Sequence, residues 1–114
     1  MTYDVKKVAA ELMVEPEDLI DILKIFFGEA FKILSECEKA VRDSNFDVLK
    51  KLFHTLKGTS SNFRMNNLNK LVAAMEKAAK SNDLAHIKDL LPASHKELTS
   101  IQEQVGHYCS QEAR

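Results

Sequence analysis

The chain is poor in the residues that turn or break a backbone. Its 114 residues include three Gly, two Pro and no Trp. So few turn formers argue against the closely spaced reversals of a sheet protein. The two cysteines, Cys37 and Cys109, are too few for a disulfide framework and do not form a metal-type pair. Both fall on apolar helix faces, where a buried free thiol is the expected state. No apolar run approaches the roughly 20 residues that span a bilayer, and no amino-terminal signal peptide is seen. A soluble cytoplasmic protein is therefore expected. Charge of one sign is lacking too: the net charge is −1, with the signs mixed along the chain. That gives no basic surface for nucleic acid and no acidic tail. There is no internal repeat, no low-complexity segment and no glycine-rich phosphate loop, hence no sign of ATP binding.

What is present is helix. Apolar residues make up 45% of the chain, enough for the core of one domain covering residues 1–114. Ala, Leu, Glu and Lys, all strong helix formers, dominate. Periodicity places helices at about 4–13, 17–42, 46–63, 67–80 and 84–109. Short polar links between them favour antiparallel neighbours. The expected class is all-α: an antiparallel up-down four-helix bundle with an additional short amino-terminal helix, the latter lying as a lid across one end. Nothing in the sequence demands a dimer, so a monomer is expected.

Individual residues mark the joints. Pro16 suits a helix start, where its missing N–H would be unpaired, and Glu17 and Asp18 suit the positive end of the helix dipole. The helix that follows has an unusually wide apolar face, from Leu19, Leu23 and Phe26 to Ile20, Ile22 and Ile25. Most of it should be core, though some could be left as apolar surface near His54. Glu29, Lys32, Glu36 and Lys39 read as a solvated face with helix-type ion pairs. Asn45 and Asn66 are candidate N-caps, and Asp83 closes the turn before the last helix. Pro92 should kink that helix or break it in two, and the tail from Ser110 should fray.

The stretch Asn45 to Phe63 carries the functional signal. Phe46, Leu49, Phe53, Leu56, Ser60 and Phe63 follow alternating spacings of three and four, one helix face with a single small polar member. At about 100° per residue, His54 points roughly 130° away from that face and so toward water. Lys50 lies four residues before it, Lys57 three after and Gly58 four after, the positions that neighbour it on a helix. A neutral imidazole is a nucleophile near pH 7. A phosphoryl group on it would bring negative charge that an ammonium stabilises. Gly58 costs about 1 kcal/mol in a helix interior but leaves bare backbone for another molecule to approach. The bland alternative is that exposed His and Lys are common and that the glycine is merely tolerated.

The run His54-Thr55-Leu56-Lys57-Gly58-Thr59-Ser60 resembles the signature of histidine-containing phosphotransfer (HPt) domains: His, any residue, apolar, Lys, Gly, any residue, Ser or Ala. The likeness extends loosely from the helix near residue 18 to the long last helix. It implies that His54 accepts and donates a phosphoryl group to and from aspartates of receiver domains. Lys57 would steady the phosphoryl oxygens, Gly58 would admit the partner, and Lys50 would add weakly to the positive field. The partners implied are the receiver of a response regulator or of a hybrid sensor histidine kinase. The carrier would have no kinase activity and no cofactor of its own, the Mg²⁺ belonging to the receiver. One departure stands out: Arg64 occupies a position where the family often has a second Gly.

Two other function classes stay open. One is an adaptor bundle that transfers nothing; the other is a kinase-attached module phosphorylated on His54 by a separate ATP-binding domain. A metal site is disfavoured, because His86, His95 and His107 are spaced by nine and twelve residues with no i, i+4 pair. No Ser stands on a nucleophile elbow to complete a catalytic triad.

Overall fold

Three of the five helices begin at a side chain that accepts from a first-turn N–H, one begins at a proline, and each of the first four ends where one residue turns left-handed. The structure, a computed structural model, describes residues 3–112. Five helices follow in order: α1 (Val5–Glu11), α2 (Pro16–Arg42), α3 (Phe46–Asn62), α4 (Asn66–Lys80) and α5 (Leu84–Glu112). Asp4 caps α1 through Lys7 N–H and Asn45 caps α3 through Val48 N–H, while Asp83 accepts from His86 N–H at the start of α5. Pro16 sits in the first turn of α2, ahead of Glu17 and Asp18.

Met13, Ser44, Arg64 and Asn82 have φ between 50° and 60°. Glycine usually holds this post-helix position, yet all three glycines of the chain lie inside helices with no positive φ. Arg64, at the site of the family's second Gly, is one of the four. Its own N–H bonds to Ser61 O, and the next N–H, of Met65, bonds back to Ser60 O. A left-handed turn therefore ends α3 here without glycine, at a conformational cost of about 1 kcal/mol.

Helices α2 to α5 form an antiparallel four-helix bundle, and the domain with α1 measures 48 × 22 × 22 Å. The pairs in contact are α2 with α3, α3 with α4, α4 with α5 and α2 with α5, so the four close into a ring. Leu23, Leu34, Leu49, Phe53, Leu56, Leu68, Met75, Ile87 and Leu98 are buried at its centre. Burying each such side chain contributes about 1.5–3 kcal/mol. Helix α1 is too short to persist alone and buries Val5, Val8 and Ala9. Tyr3 donates its hydroxyl to Phe63 O (2.8 Å) and Glu11 meets Arg64 (3.3 Å), so α1 lies across the end of α3. Burial pushes the Tyr3 phenol up to about 12, against the pull of the nearby Arg64.

Several expectations need correction. Met65, not Asn66, is the N-cap residue of α4, and it makes no side-chain cap. Its side chain is buried in the core, and that burial decides where the chain enters α4. Of the two outcomes expected at Pro92, the break does not occur: α5 runs through it as one helix, its packing on α2 and α4 outweighing the hydrogen bond that the proline removes. The helix does not end at Ser110: α5 continues to Glu112, which lies 3.7 Å from Lys6 of α1, and the rest of the tail lies outside the described residues. Cys37 is buried as expected, its thiol pushed up to about 12 chiefly by desolvation, whereas Cys109 is only partly buried. Glu29, Lys32, Glu36 and Lys39 are exposed, but no ion pair joins them among the described residues.

Candidate functional site

His54 stands on the outer face of α3 with 76% of its side chain exposed, where its angle from the apolar stripe directs it. The residues opposite it in sequence angle, Leu49, Phe53, Leu56 and Ser60, are buried. Gly58 follows one turn later, and an ideal Cβ built there meets no atom within 4 Å. The glycine is not required by packing within the domain, and the space beside it is open.

The sequence reading did not single out Glu76. This residue of α4 is 5% exposed and divides its carboxylate between two partners on α3. Oε1 accepts from Lys57 Nζ at 2.5 Å, and Oε2 lies 3.1 Å from His54 Nδ1. Lys57 therefore points at Glu76, not freely at solvent. The hydrogen bond from Lys57 holds the Glu76 carboxyl below its usual range; His54 and the charges of Lys57 and Lys80 act in the same direction, and burial opposes them. An ionised carboxylate can only accept. His54 must then present Nδ1 as N–H, which leaves the Nε2 lone pair of the neutral ring free and directed outward.

Lys50 belongs to a different cluster. Its Nζ lies 3.4 Å from Asp47 Oδ1, one turn earlier on α3. It is the one sequence-selected residue that the structure does not bring into the His54–Glu76–Lys57 group. His86, His95 and His107 do not converge; among the described residues no group of three or more His, Cys, Asp or Glu side chains is placed to hold a metal ion.

The wide face of α2 leaves Ile22 43% and Ile25 67% exposed. Phe26 meets Phe63, at the far end of α3, with ring centroids 5.3 Å apart and planes tilted by 59°, while Phe31 meets His95 of α5. By helix angle Ile22 falls on the Phe26 side, toward α3, with Ile25 beyond it in solvent. Phe26 is thus at the level of Phe63, roughly 13 Å along the axis from His54, and Ile25 and Ile22 lie roughly 15 and 19 Å away at 1.5 Å per residue. Depressions of about 350 and 450 Å³ lie elsewhere, one between α1 and the start of α4, the other between α2 and α5 beside Pro92. Neither is lined by His54, Lys57, Gly58 or Glu76. The site is an exposed surface, without walls to enclose a small substrate. No helix among the described residues is long and apolar enough to cross a membrane.

Chemically the arrangement offers one nucleophilic nitrogen on an open helix face, oriented from behind by a buried carboxylate that a lysine keeps ionised. Neither curated proteins nor solved structures contain a match to the chain. The family model for the Hpt domain matches residues 21–104, a span that takes in the whole His54 site and most of the four-helix bundle. Hpt domains are histidine carriers of two-component phosphorelays, and with well over half its length matched, this chain belongs to the Hpt domain family.

Proposed function

We propose that the domain is a phosphorelay carrier in which Nε2 of His54 takes a phosphoryl group from the aspartyl phosphate of a receiver domain and passes it to another receiver. The contact between His54 Nδ1 and the buried Glu76 carboxylate is the observation that carries this reading. The Nε2 lone pair attacks phosphorus in line with the bond to the aspartyl oxygen. The N–P bond forms, the P–O bond breaks, and the aspartate leaves as a carboxylate. The proton on Nδ1 stays in place. The ring becomes cationic as the bond forms, and the negative charge of Glu76 stabilises it from the opposite side. Return of the group follows the same path in reverse.

Lys57 would meet the phosphoryl oxygens from its half-exposed position, moving its ammonium between Glu76 and the incoming anion. Gly58 would let the receiver backbone close on His54. Lys50 would contribute only a distant field, since Asp47 already holds it. The carboxylates and the Mg²⁺ that supply charge neutralisation would come with the receiver, and no kinase activity would reside in this chain.

The partner would contact more than the histidine. A surface of about 800 Å² per partner is ordinary for a specific complex, equivalent to a disc of roughly 16 Å radius. Centred on His54, such a disc spans the open face around Gly58, meets Ile25 only at its rim and stops short of Ile22. The domain is taken to act as a monomer in the cytoplasm, which light scattering of the purified chain and fractionation of cells would check.

The test is phosphotransfer from a phosphorylated receiver of the same source to the wild-type chain and to His54→Gln. Acid-labile label on the wild type alone is expected. Equal labelling of both chains, or none across a panel of receivers, would refute the carrier reading.

A further inference from the structure

We propose that Asn69 is a positioning residue for His54, holding α4 in the axial register that brings Glu76 to the imidazole. This rests on the carrier reading for its functional meaning, although the register itself has a separate readout. Asn69 is partly buried on α4 and donates its amide to the Lys57 carbonyl at 2.8 Å and to Ser60 Oγ at 3.3 Å. The Ser60 hydroxyl in turn donates to the same Lys57 carbonyl at 3.0 Å. The amide orientation is fixed, because the flipped form would set oxygen against oxygen.

Lys57 is consequently held twice by α4: its backbone by Asn69 and its side chain by Glu76. Asn69 and Glu76 are seven residues apart, nearly in line on one edge of α4 and about 10 Å apart along it. Beside these polar contacts and that of His54 with Glu76, the two helices contribute Phe53, Leu56, Leu68, Val72 and Met75 to the apolar core. Apolar burial has no direction and tolerates a sliding or rolling helix; a hydrogen bond at 2.8 Å does not. A shift of one turn, about 5.4 Å, would carry Glu76 out of reach of both partners.

The same contact explains Ser60, the one polar member of the α3 stripe and fully buried. A leucine there would fill the space through which Asn69 reaches the α3 backbone. Ser60 is small because it admits the pin, and polar because it must satisfy it.

The experiment uses Asn69→Leu, which matches the volume without donating, and Asn69→Asp, which matches the shape without a donor. Asn67→Ala, exposed two residues away, is the control. Thermal melting shows that each variant folds; if leucine unfolds the chain, aspartate carries the test. The first readout is the ¹⁵N spectrum of the His54 ring. The wild type and Asn67→Ala should show Nδ1 protonated and Nε2 bare, and the Asn69 variants a mixture with protonated Nε2. The second is phosphotransfer from a receiver, expected to fall about tenfold in the Asn69 variants. Variants that fold and keep both the wild-type ring signature and the wild-type rate would overturn the proposal. If the ring signature shifts but no receiver labels even the wild type, the positioning role stands and the carrier reading falls.

Discussion

Replacing Gly58 should make the domain more stable and slower at once. Gly58 lies inside α3 with a negative φ, and an added Cβ would meet nothing within 4 Å. The substitution to Ala therefore carries no steric penalty in the free domain. It removes the conformational freedom that glycine gives the unfolded chain, an effect of about 0.4–1 kcal/mol. Unfolding entropy near 2.1 cal/mol/K per residue over 114 residues makes 1 kcal/mol equivalent to roughly 4 °C in Tm. Gly58→Leu should gain nearly as much, since leucine is almost as good a helix former. In the complex the order reverses, because the new side chain occupies the space beside His54 that a partner would enter. Transfer should fall modestly for Ala and by about a hundredfold for Leu, of the order expected when reacting groups are misplaced by about 1 Å. Gly106→Ala is the control: this glycine is also helical with nothing within 4 Å, but lies far from His54 in α5. It should gain similar stability and transfer normally. Calorimetry and a receiver-based transfer assay measure the two effects. A destabilised Gly58→Ala would contradict the open space beside the glycine, and a Gly58→Leu as fast as wild type would remove its role in close approach.

Three further outcomes follow from the contacts described. Glu76→Gln should lose about 1–3 kcal/mol, the usual worth of hydrogen bonds to a charged group. Because folding lowers the Glu76 pKa, its contribution is full above the unfolded value near 4.3 and fades as pH falls below it. Urea midpoints should thus separate wild type from variant at pH 7 and converge in acid, and a gap that widens in acid would contradict the sign. Arg64→Gly should stabilise by about 1 kcal/mol, since it relieves the left-handed backbone and sacrifices an exposed ion pair with Glu11 and an exposed hydrogen bond to the Asn62 carbonyl, both of small worth; Arg64→Val should destabilise. A thiol reagent at pH 8 should modify Cys109 in the native chain and reach Cys37 only on unfolding, with mass spectrometry counting the adducts; rapid native labelling of Cys37 would contradict its burial.

Much of this was legible in the sequence because it depends on local periodicity. The α3 stripe determines that His54 faces outward, and Asn45 and Asp83 announce their helix starts through side chains that have no better use in a helix. Glu76 was not legible in the same way. The apolar positions of α4, Leu68, Leu71, Val72, Met75 and Ala79, define a face but not its edges. Leu71 proves only partly buried, whereas Glu76 and Ala78 are buried. The face extends to Glu76 and the partly buried Asn69 on the side toward α3, and to Ala78 on the other. The available clue was two polar residues seven apart along one edge of an apolar stripe, opposite a helix carrying His and Lys. Reading it required knowing which helix packs there. Met65 misled for a related reason: a cap position normally takes a polar side chain, and here the core claimed it. The end of α5 and its passage through Pro92 depend on neighbouring helices, beyond what the local sequence specifies.

The exposure of His54 on a convex helix face has a pharmacological consequence. A drug-sized molecule binds by filling a concavity that hides most of its surface, and the nucleophile here projects from a rounded helix. The two depressions described above lie elsewhere, so their occupants would leave the imidazole open. Blocking this step calls for a competitor built like a protein partner: a rigid, extended face that spans the helix surface and covers the nitrogen, as an antibody fragment or a small designed binder does. Such a reagent would read the same surface that any natural partner must read.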